Sequence, residues 1–427
     1  MNQIQMWQTQ FLTVDRSQNE LGREAIIQFL RSGHSVFLTG GAGSGKTHML
    51  KQIVSQFQQT AILAPTGIAA SNVGGQTIHS FFSLPPHLQK PSEVNAKIKN
   101  AFLVKRLQLL VVDEISMVNP LLLDCIDNLM QRIRGCGLPF GGCAVLFCGD
   151  IAQLPPVIQD KKTGDGLSQK EVLVKMGYSS TLVTDSKVWA SVKYVVELQG
   201  SWRQDGDPHF FNLLSDIRNH LLDKKKDSLR STFSEINSQC VGRNLPPKFT
   251  TLASTNNRVR EINGIELDKM QGEECYYDAT VVGEWRDEFS RAPRQLILKE
   301  GVQVICVAND PLKQFMNGSI AEVVELEPKA VWVKLEDKQV IKVQPQRWDN
   351  WQYKWDEESG RMSVQSVGHF IQLPFQVGYA LTIHSSQGLT LNRVNFMTER
   401  LFDQRLAYVA LSRCPSLQSL SLSQSLH

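Results

Sequence analysis

Gly40-Gly41-Ala42-Gly43-Ser44-Gly45-Lys46-Thr47 is the stretch of this chain whose residue types and spacing speak most directly of chemistry. The pattern G-x-x-x-x-G-K-[ST] lets backbone N–H groups close around phosphate oxygens, because its glycines carry no side chain to hold them off. Lys46 can then reach the β- and γ-phosphates, and the Thr47 hydroxyl can ligate Mg²⁺. A second group is Asp113-Glu114, at the end of the apolar run Leu109–Val112. An Asp there can hold Mg²⁺ through water, and the adjacent Glu can polarise an attacking water. Gln153, just past another apolar run, either senses a γ-phosphate or caps its own turn. Together these residues imply a nucleoside triphosphate that is bound and hydrolysed.

Such groups work only if strands and helices hold them at one edge. Ser35–Leu38 is a short apolar run before the glycine loop, and Met49, Leu50, Ile53, Val54 and Phe57 behind it have helical spacing. A helix N-terminus placed there adds a favourable dipole for phosphate. Residues 19–34 form an amphipathic pattern with Ala25, Ile26, Phe29 and Leu30 on one side. Ala61–Ala64 reads as a strand, followed by a loop and a small-residue helix start at which Thr66 can hold a phosphate. Asn119-Pro120 caps a helix with the stripe Leu122, Leu123, Ile126, Leu129, Met130 and Ile133, which is core rather than a cofactor box. Ala144–Cys148 is the strand that leads to Gln153.

With 427 residues the chain has room for about three domains, and its composition, 42% hydrophobic and 20% charged, is ordinary for a globular protein. A net charge of +3 is too small by itself to argue for nucleic acid. The eight cysteines form no C-x-x-C pair, which disfavours zinc and disulfide frameworks and fits a reduced compartment. Met1–Gln18 lacks the basic start and apolar core of a signal peptide, and no apolar stretch approaches a membrane span. The expectation is a soluble intracellular protein with no membrane partner, cytoplasmic and nucleoid-associated if the source is bacterial.

Further along, Pro85, Pro86 and Pro91 with lysines at 90, 97, 99 and 105 suggest a small basic insertion at about 82–105. Lys161-Lys162 falls in a polar stretch, 158–185, read as a surface loop, and Lys224-Lys225-Lys226 reads as a solvated run. Tyr194–Leu198 reads as the first strand of a second domain, and Phe249–Thr255 as another strand. From about residue 300 short alternating strands, with Asn317-Gly318 as a turn, suggest a small β-barrel. Trp348, Trp351 and Trp355, interleaved with Arg347, Tyr353 and Lys354, are either barrel core or a base-stacking platform. His79 beside Phe81 and Phe82 is likewise either core or contact.

Taken in order, the segments GGAGSGKT, APTGIAASN, GGQTIHSFF, VVDEISM, FGGCAVLFCGDIAQLPPV, SWRQ, TNNRVREIN, NGSIAEV, ALTIHSSQGLT and YVALSR resemble superfamily 1 DNA helicases. Within them the likeness is to the petite-integration-frequency (PIF) family of the RecD-like group, and it runs from about residue 35 to 420. The resemblance implies an α/β protein of two RecA-like P-loop domains, with a small insertion in the first and an SH3-like β-barrel insertion in the second. The boundaries expected are 1–190 for the first domain, 191–299 with 376–427 for the second, and 300–375 for the barrel. It also implies an ATP-dependent 5′-to-3′ helicase acting on single-stranded and forked or 5′-tailed duplex DNA, monomeric or pairing on DNA. Roles in DNA repair, recombination and telomere maintenance go with that family.

By the same resemblance Arg203 and Arg413 are arginines that reach the γ-phosphate, and Gly41, Gly43, Ser44, Gly45, Gln387 and Gly388 join Lys46, Thr47 and Asp113 in holding ATP and Mg²⁺. Single-stranded DNA is implied to lie on Thr66, His79 and Phe81 on one side and on Asn256, Thr382 and His384 on the other. Ser385 stands where the family usually has Lys, and the upstream Gln that reads adenine has no clear match, with Arg23 near its place and Gln18 before it. The alternative from a different class is a DNA-binding switch or remodeller whose ATPase does not unwind. A P-loop kinase is disfavoured, because no acceptor site is recognisable.

Overall fold

Val36–Gly40 (β2), Leu109–Val112 (β5) and Ala144–Cys148 (β6) are buried at every residue, as strands covered on both faces must be. In the computed structural model, which describes residues 10–85, 90–95, 97–158, 168–223, 226–358, 361–399 and 403–427, they form the middle of a parallel sheet. The other members are Gln10–Val14 (β1), Thr60–Ala64 (β3), Gln76–Thr77 (β4) and Tyr194–Leu198 (β7), in the order β1-β7-β2-β6-β5-β3-β4. Pairing of Leu38 with Cys148, of Val112 with Phe147 and of Leu63 with Val112 fixes the register. The segments that leave β2, β3, β5 and β6 therefore all emerge at the carboxyl edge of one sheet, where α/β proteins bind ligands. Lys161, Lys162, Lys224, Lys225 and Pro86 lie outside the described residues.

Tyr194–Leu198 corrects the sequence reading: it is not the start of a second sheet but sits between β1 and β2 in the first. Neighbours in a parallel sheet are distant in sequence, so an apolar run does not reveal which sheet receives it. The chain separates into two compact units, 1–202 with 350–367, and 203–349 with 368–427.

In the first unit the helices Asn19–Arg31 (α1) and Lys46–Val54 (α2) bury Ile26, Leu30, Met49, Leu50 and Ile53 in a core shared with β2, β6 and β7. Pro120–Arg134 (α3) begins as expected, with Asn119 Oδ1 accepting from the Leu122 N–H at 2.8 Å. Leu121 takes the buried place in the stripe, and Leu122 is only half-buried. Asp124 on this helix is buried and accepts four hydrogen bonds, from Tyr178 Oη (2.6 Å), Ser186 Oγ (2.5 Å) and the N–H groups of Lys187 and Val188 (both 3.1 Å). A buried carboxylate so fully partnered ties residues 178–188 to the helix. The stretch read as loop also contains a helix, Gln169–Lys175, with a Ser168/Glu171 capping box.

The aromatic stretch after residue 347 divides. Trp348 is buried in the second unit, with its ring 5.9 Å from that of Phe370. Tyr353, in the first unit, is buried edge-on to Phe81 at 5.7 Å, and its hydroxyl accepts from the Ile62 N–H at 2.7 Å. Trp355 meets Phe102 edge-on at 5.3 Å, and Arg106 stacks on both rings. The barrel-core reading thus fails for Trp355, which covers the insertion helix Ala101–Arg106.

The second unit holds a parallel sheet in the order 380–382, 250–253, 394–396, 420–422. The Asn263 amide exchanges two hydrogen bonds with the backbone of Ala380 (3.0 and 2.8 Å), extending that sheet's edge from a helix, Asn256–Lys269. Five antiparallel strands follow the order 340–343, 330–335, 320–327, 303–306, 375–377. They share a core with the paired strands Cys275–Asp278 and Gln295–Leu298. Among the described residues no helix is long and apolar enough to cross a membrane, and all eight cysteines are free.

Asp124→Ala strands four donors in the first unit. Chemical denaturation should show a loss of about 3 kcal/mol, and a loss under about 1 kcal/mol would mean the network is not what anchors residues 178–188.

Candidate active site

The loop from β2 to α2 takes its shape from glycine. Gly40 and Gly45 have φ of 146° and 94°, a region closed to most L-residues. A Cβ on Gly40 would come within 2.6 Å of the Leu198 carbonyl oxygen and 2.8 Å of Ser44 Oγ. Lys46 is the first residue of α2, and its ammonium donates to the carbonyls of Gly40 (2.8 Å) and Gly41 (2.9 Å). The charge is folded back over the loop that would cradle the phosphates. Ser44 Oγ is buried with no hydrogen-bond partner among the described residues. A buried orphan hydroxyl inside a glycine loop at a helix N-terminus suits a phosphate oxygen.

At the end of β5, Asp113 is buried, and this desolvation pushes its carboxyl above the usual range. A hydrogen bond with the Cys148 thiol and the charge of Lys46 pull the other way. The carboxylate is thus set beside the P-loop lysine in a site that a cation would stabilise. Glu114, next to it, is in the left-handed region at φ 49° and ψ 45°, a conformation that costs a non-glycine residue energy. That kink turns the chain off the line of the strand immediately after Asp113. Gln153 is buried beyond β6, where its N–H donates to the Asp150 carbonyl at 2.9 Å and its amide to Asp150 Oδ2 at 3.3 Å.

Ser201 and Trp202 are functional-site neighbours that sequence reasoning missed. Ser201 Oγ donates to the Ala42 carbonyl at 3.0 Å, and the Trp202 N–H donates to that of Gly43 at 2.9 Å. The Trp202 indole is 60% exposed beside Gly45, Arg16 stacks on it at 4.4 Å, and the Arg16 guanidinium also donates to the Ser201 carbonyl. The sequence signal that contains them is the SWRQ segment, in which they directly precede Arg203.

The other first-unit candidates follow β3 and β4. Thr66 Oγ1 accepts from the Ala69 N–H at 3.2 Å and so caps the short helix Gly67–Asn72. His79 is half-buried, with Nδ1 3.3 Å from the Leu84 carbonyl oxygen. Phe81 is 0% exposed, its ring enclosed by Phe82 and Tyr353. It supports this corner from beneath and presents no face to a base.

In the second unit, Arg203 donates to Thr390 Oγ1 (2.9 Å) and to the Ser412 carbonyl (2.8 Å). Burial and then the charge of Arg413 lower its pKa to about 9. It remains protonated at neutral pH, but two neighbouring guanidiniums in a poorly solvated place favour an anion. Arg413 is 2% exposed, with its donors on the carbonyls of Val409, Ser386 and Leu389 and on Ser412 Oγ. The Gln387 N–H donates to the His384 carbonyl at 3.2 Å, and Gly388 has φ 82°. Thr382 is buried, and its hydroxyl bonds the Ser385 hydroxyl at 2.7 Å. Burial lowers the His384 pKa, so the ring is neutral at pH 7. Asn256 is exposed at the start of its helix.

A glycine loop and an acidic strand end at the carboxyl edge of a parallel sheet define a P-loop α/β protein. Comparison with known proteins narrows the class. The profile of the PIF1-like helicase family matches residues 14–228, and the chain belongs to that family. It is 30% identical over 403 residues to the ATP-dependent DNA helicase Pif1 of Bdellovibrio bacteriovorus, covering 93% of this chain and 85% of that protein. Several eukaryotic relatives are longer, and the chain spans 35% to 62% of their length. Among solved structures it resembles Bacteroides sp Pif1 in complex with ADP-AlF4, with a TM-score of 0.84, 30% identity and coverage of 95% of this chain and 92% of that one. Bacteroides Pif1 bound to ssDNA matches with a TM-score of 0.62 at 29% identity and the same coverage.

Gly45→Ala places a Cβ at a left-handed position 3.4 Å from the Trp202 indole. Binding of a fluorescent ADP should weaken about tenfold, with a fall in melting temperature no larger than the roughly 1–2 kcal/mol of left-handed strain accounts for. Equal affinity would show that the loop does not need this geometry.

Proposed function

We propose that this protein is an ATP-dependent DNA helicase that moves 5′ to 3′ along single-stranded DNA and opens forked or 5′-tailed duplex. The observation that carries the reading is the coincidence, at one sheet edge, of the glycine loop with Lys46 and the buried Asp113, in a chain of the PIF1-like family. The first unit and the parallel sheet of the second are read as RecA-like domains, and the antiparallel strands as an SH3-like insertion. The molecule acts as a monomer or as a pair on DNA, inside the cell.

Gly41, Gly43, Ser44, Gly45 and Lys46 hold the triphosphate on backbone N–H groups and one ammonium. Thr47 and Asp113 hold Mg²⁺, which supplies neutralising charge for the phosphates. Lys46 leaves its two carbonyl partners for phosphate oxygens, an exchange of dipoles for full charges. Glu114 takes a proton from the attacking water, and Gln153 orients that water. Arg203 and Arg413 add positive charge where the loose transition state carries negative charge, with Gln387 and Gly388 shaping the nucleotide's surroundings. The like-charge pair of arginines, costly without an anion, supports this role.

Thr66 and His79 in one unit and Asn256, Thr382 and His384 in the other hold the strand, and Phe81 keeps the first pair in position. The neutral His384 offers hydrogen bonding rather than charge. With Ser385 in place of a cation, the grip there rests on hydroxyls.

Unwinding of 5′-tailed and 3′-tailed duplexes tests the reading, with only the 5′-tailed one expected to open. Lys46→Ala should abolish hydrolysis, whereas Arg203→Ala should bind nucleotide and lose turnover by about 10³-fold or more. Normal turnover in Arg203→Ala would remove it from the site. Affinity for single strands should fall with salt at a slope of about −0.7 per phosphate contacted, and a flat dependence would leave stacking alone.

A further inference from the structure

Leu389-Thr390-Leu391, in the second unit, is a short segment that touches both candidate arginines. The Thr390 hydroxyl accepts from Arg203 Nε at 2.9 Å. On either side of it, the Leu389 carbonyl accepts from Arg413 Nη1 at a long 3.5 Å, and the Leu391 N–H donates to the Arg413 carbonyl at 3.0 Å. Leu389 and Leu391 are buried and pin the segment, while Thr390 between them is half-buried.

Two contacts that orient Arg203 differ in kind. Nη1 donates to the Ser412 carbonyl at 2.8 Å, a main-chain acceptor supplied by the end of the helix Gln404–Leu411. Nε donates to a side chain, the Thr390 hydroxyl. A planar guanidinium held at two of its nitrogens has its plane fixed. The Thr390 hydroxyl is thus a contact that a residue change can remove without moving the backbone.

The seat of Thr390 is built by the antiparallel strands. Cys306, at the end of the strand Gln303–Cys306, accepts from the Gly318 N–H and donates to the Ser319 carbonyl, both at 2.8 Å. This fastens the Asn317-Gly318 turn to the sheet. The turn lies directly on Thr390: a Cβ on Gly318 would come within 2.4 Å of the Thr390 carbonyl oxygen and 3.2 Å of its nitrogen. Glycine is required twice here, for a φ of 98° and for this close approach. Just beyond, the Asn392 amide and the Arg393 guanidinium both donate to the Glu336 carboxylate, which follows the strand Ala330–Leu335. The antiparallel sheet therefore braces the segment from two points.

We propose that Thr390 is a positioning residue for Arg203, seated by the Asn317-Gly318 turn. A long, flexible arginine stabilises developing charge in a transition state only when it is already aimed, because reorganising it during the reaction costs what it would contribute. The inference deepens the proposed function and rests on its reading of Arg203 as a group that meets the γ-phosphate. It gives the antiparallel strands a part in turnover without placing any of their residues in the site.

The test uses the full chain and measures ATP turnover with saturating oligothymidylate and, separately, binding of fluorescent ADP. Thr390→Val keeps the side chain's shape and removes the acceptor, so kcat should fall at least about tenfold, with KM for ATP and affinity for ADP within about twofold of the parent. Thr390→Ser restores the acceptor and should return kcat to within about threefold. Added to Arg203→Ala, Thr390→Val should cost nothing further, because it acts through the missing guanidinium. Gly318→Ala should lower kcat in the same way and likewise add nothing to Arg203→Ala. Wild-type kcat in Thr390→Val, no rescue by Thr390→Ser, or a fall of equal size in the Arg203→Ala chain would overturn the proposal. Wild-type kcat in Gly318→Ala would overturn the role given to the turn. Normal turnover in Arg203→Ala would instead defeat the reading of Arg203, a result distinct from a normal Thr390→Val beside a crippled Arg203→Ala.

Discussion

Everything at the candidate site depends on three strands that are buried on both faces. Because β2, β5 and β6 leave no residue of theirs exposed, their pairing cannot slip by a residue without disrupting packing above and below. Register then decides chemistry: Leu38 opposite Cys148 and Val112 opposite Phe147 bring out the glycine loop, Asp113 and the Gly149-Asp150 turn side by side. The local features there are individually unfavourable. A left-handed Glu114, a desolvated Asp113 and an orphan Ser44 hydroxyl are tolerated because the sheet beneath is over-determined.

The second unit presents a related electrostatic arrangement. Arg413 is enclosed by carbonyls of its own unit, and Arg203 lies near it with its charge disfavoured by burial. A protein keeps two such cations together at a cost, and the cost is recovered when an anion arrives.

Much of this was legible in the sequence because it is local. The P-loop helix, the Asn119 cap and the runs at 109–112 and 144–148 follow from residue spacing within a few turns, and each stands where the pattern places it. What was not legible is long-range pairing. Asp124 finds partners 54 to 64 residues away, and no periodicity announces them. Tyr353 reaches Ile62 across 291 residues, and in doing so separates a tryptophan-rich stretch into two different surroundings. Phe81 is a DNA contact only by the family resemblance, yet its ring is buried against Phe82 and Tyr353. Ser201 and Trp202 were eclipsed by the arginine that follows them, although they are the residues that touch the glycine loop.

The central claim is that the buried sheet edge is one half of a DNA-driven ATPase. Steady-state ATP turnover of the intact chain, with and without saturating single-stranded DNA, tests it most directly. The account predicts that DNA raises turnover at least tenfold, and that Glu114→Gln removes the stimulated rate while leaving nucleotide bound. Turnover that is the same with and without DNA, or that survives Glu114→Gln, would contradict it.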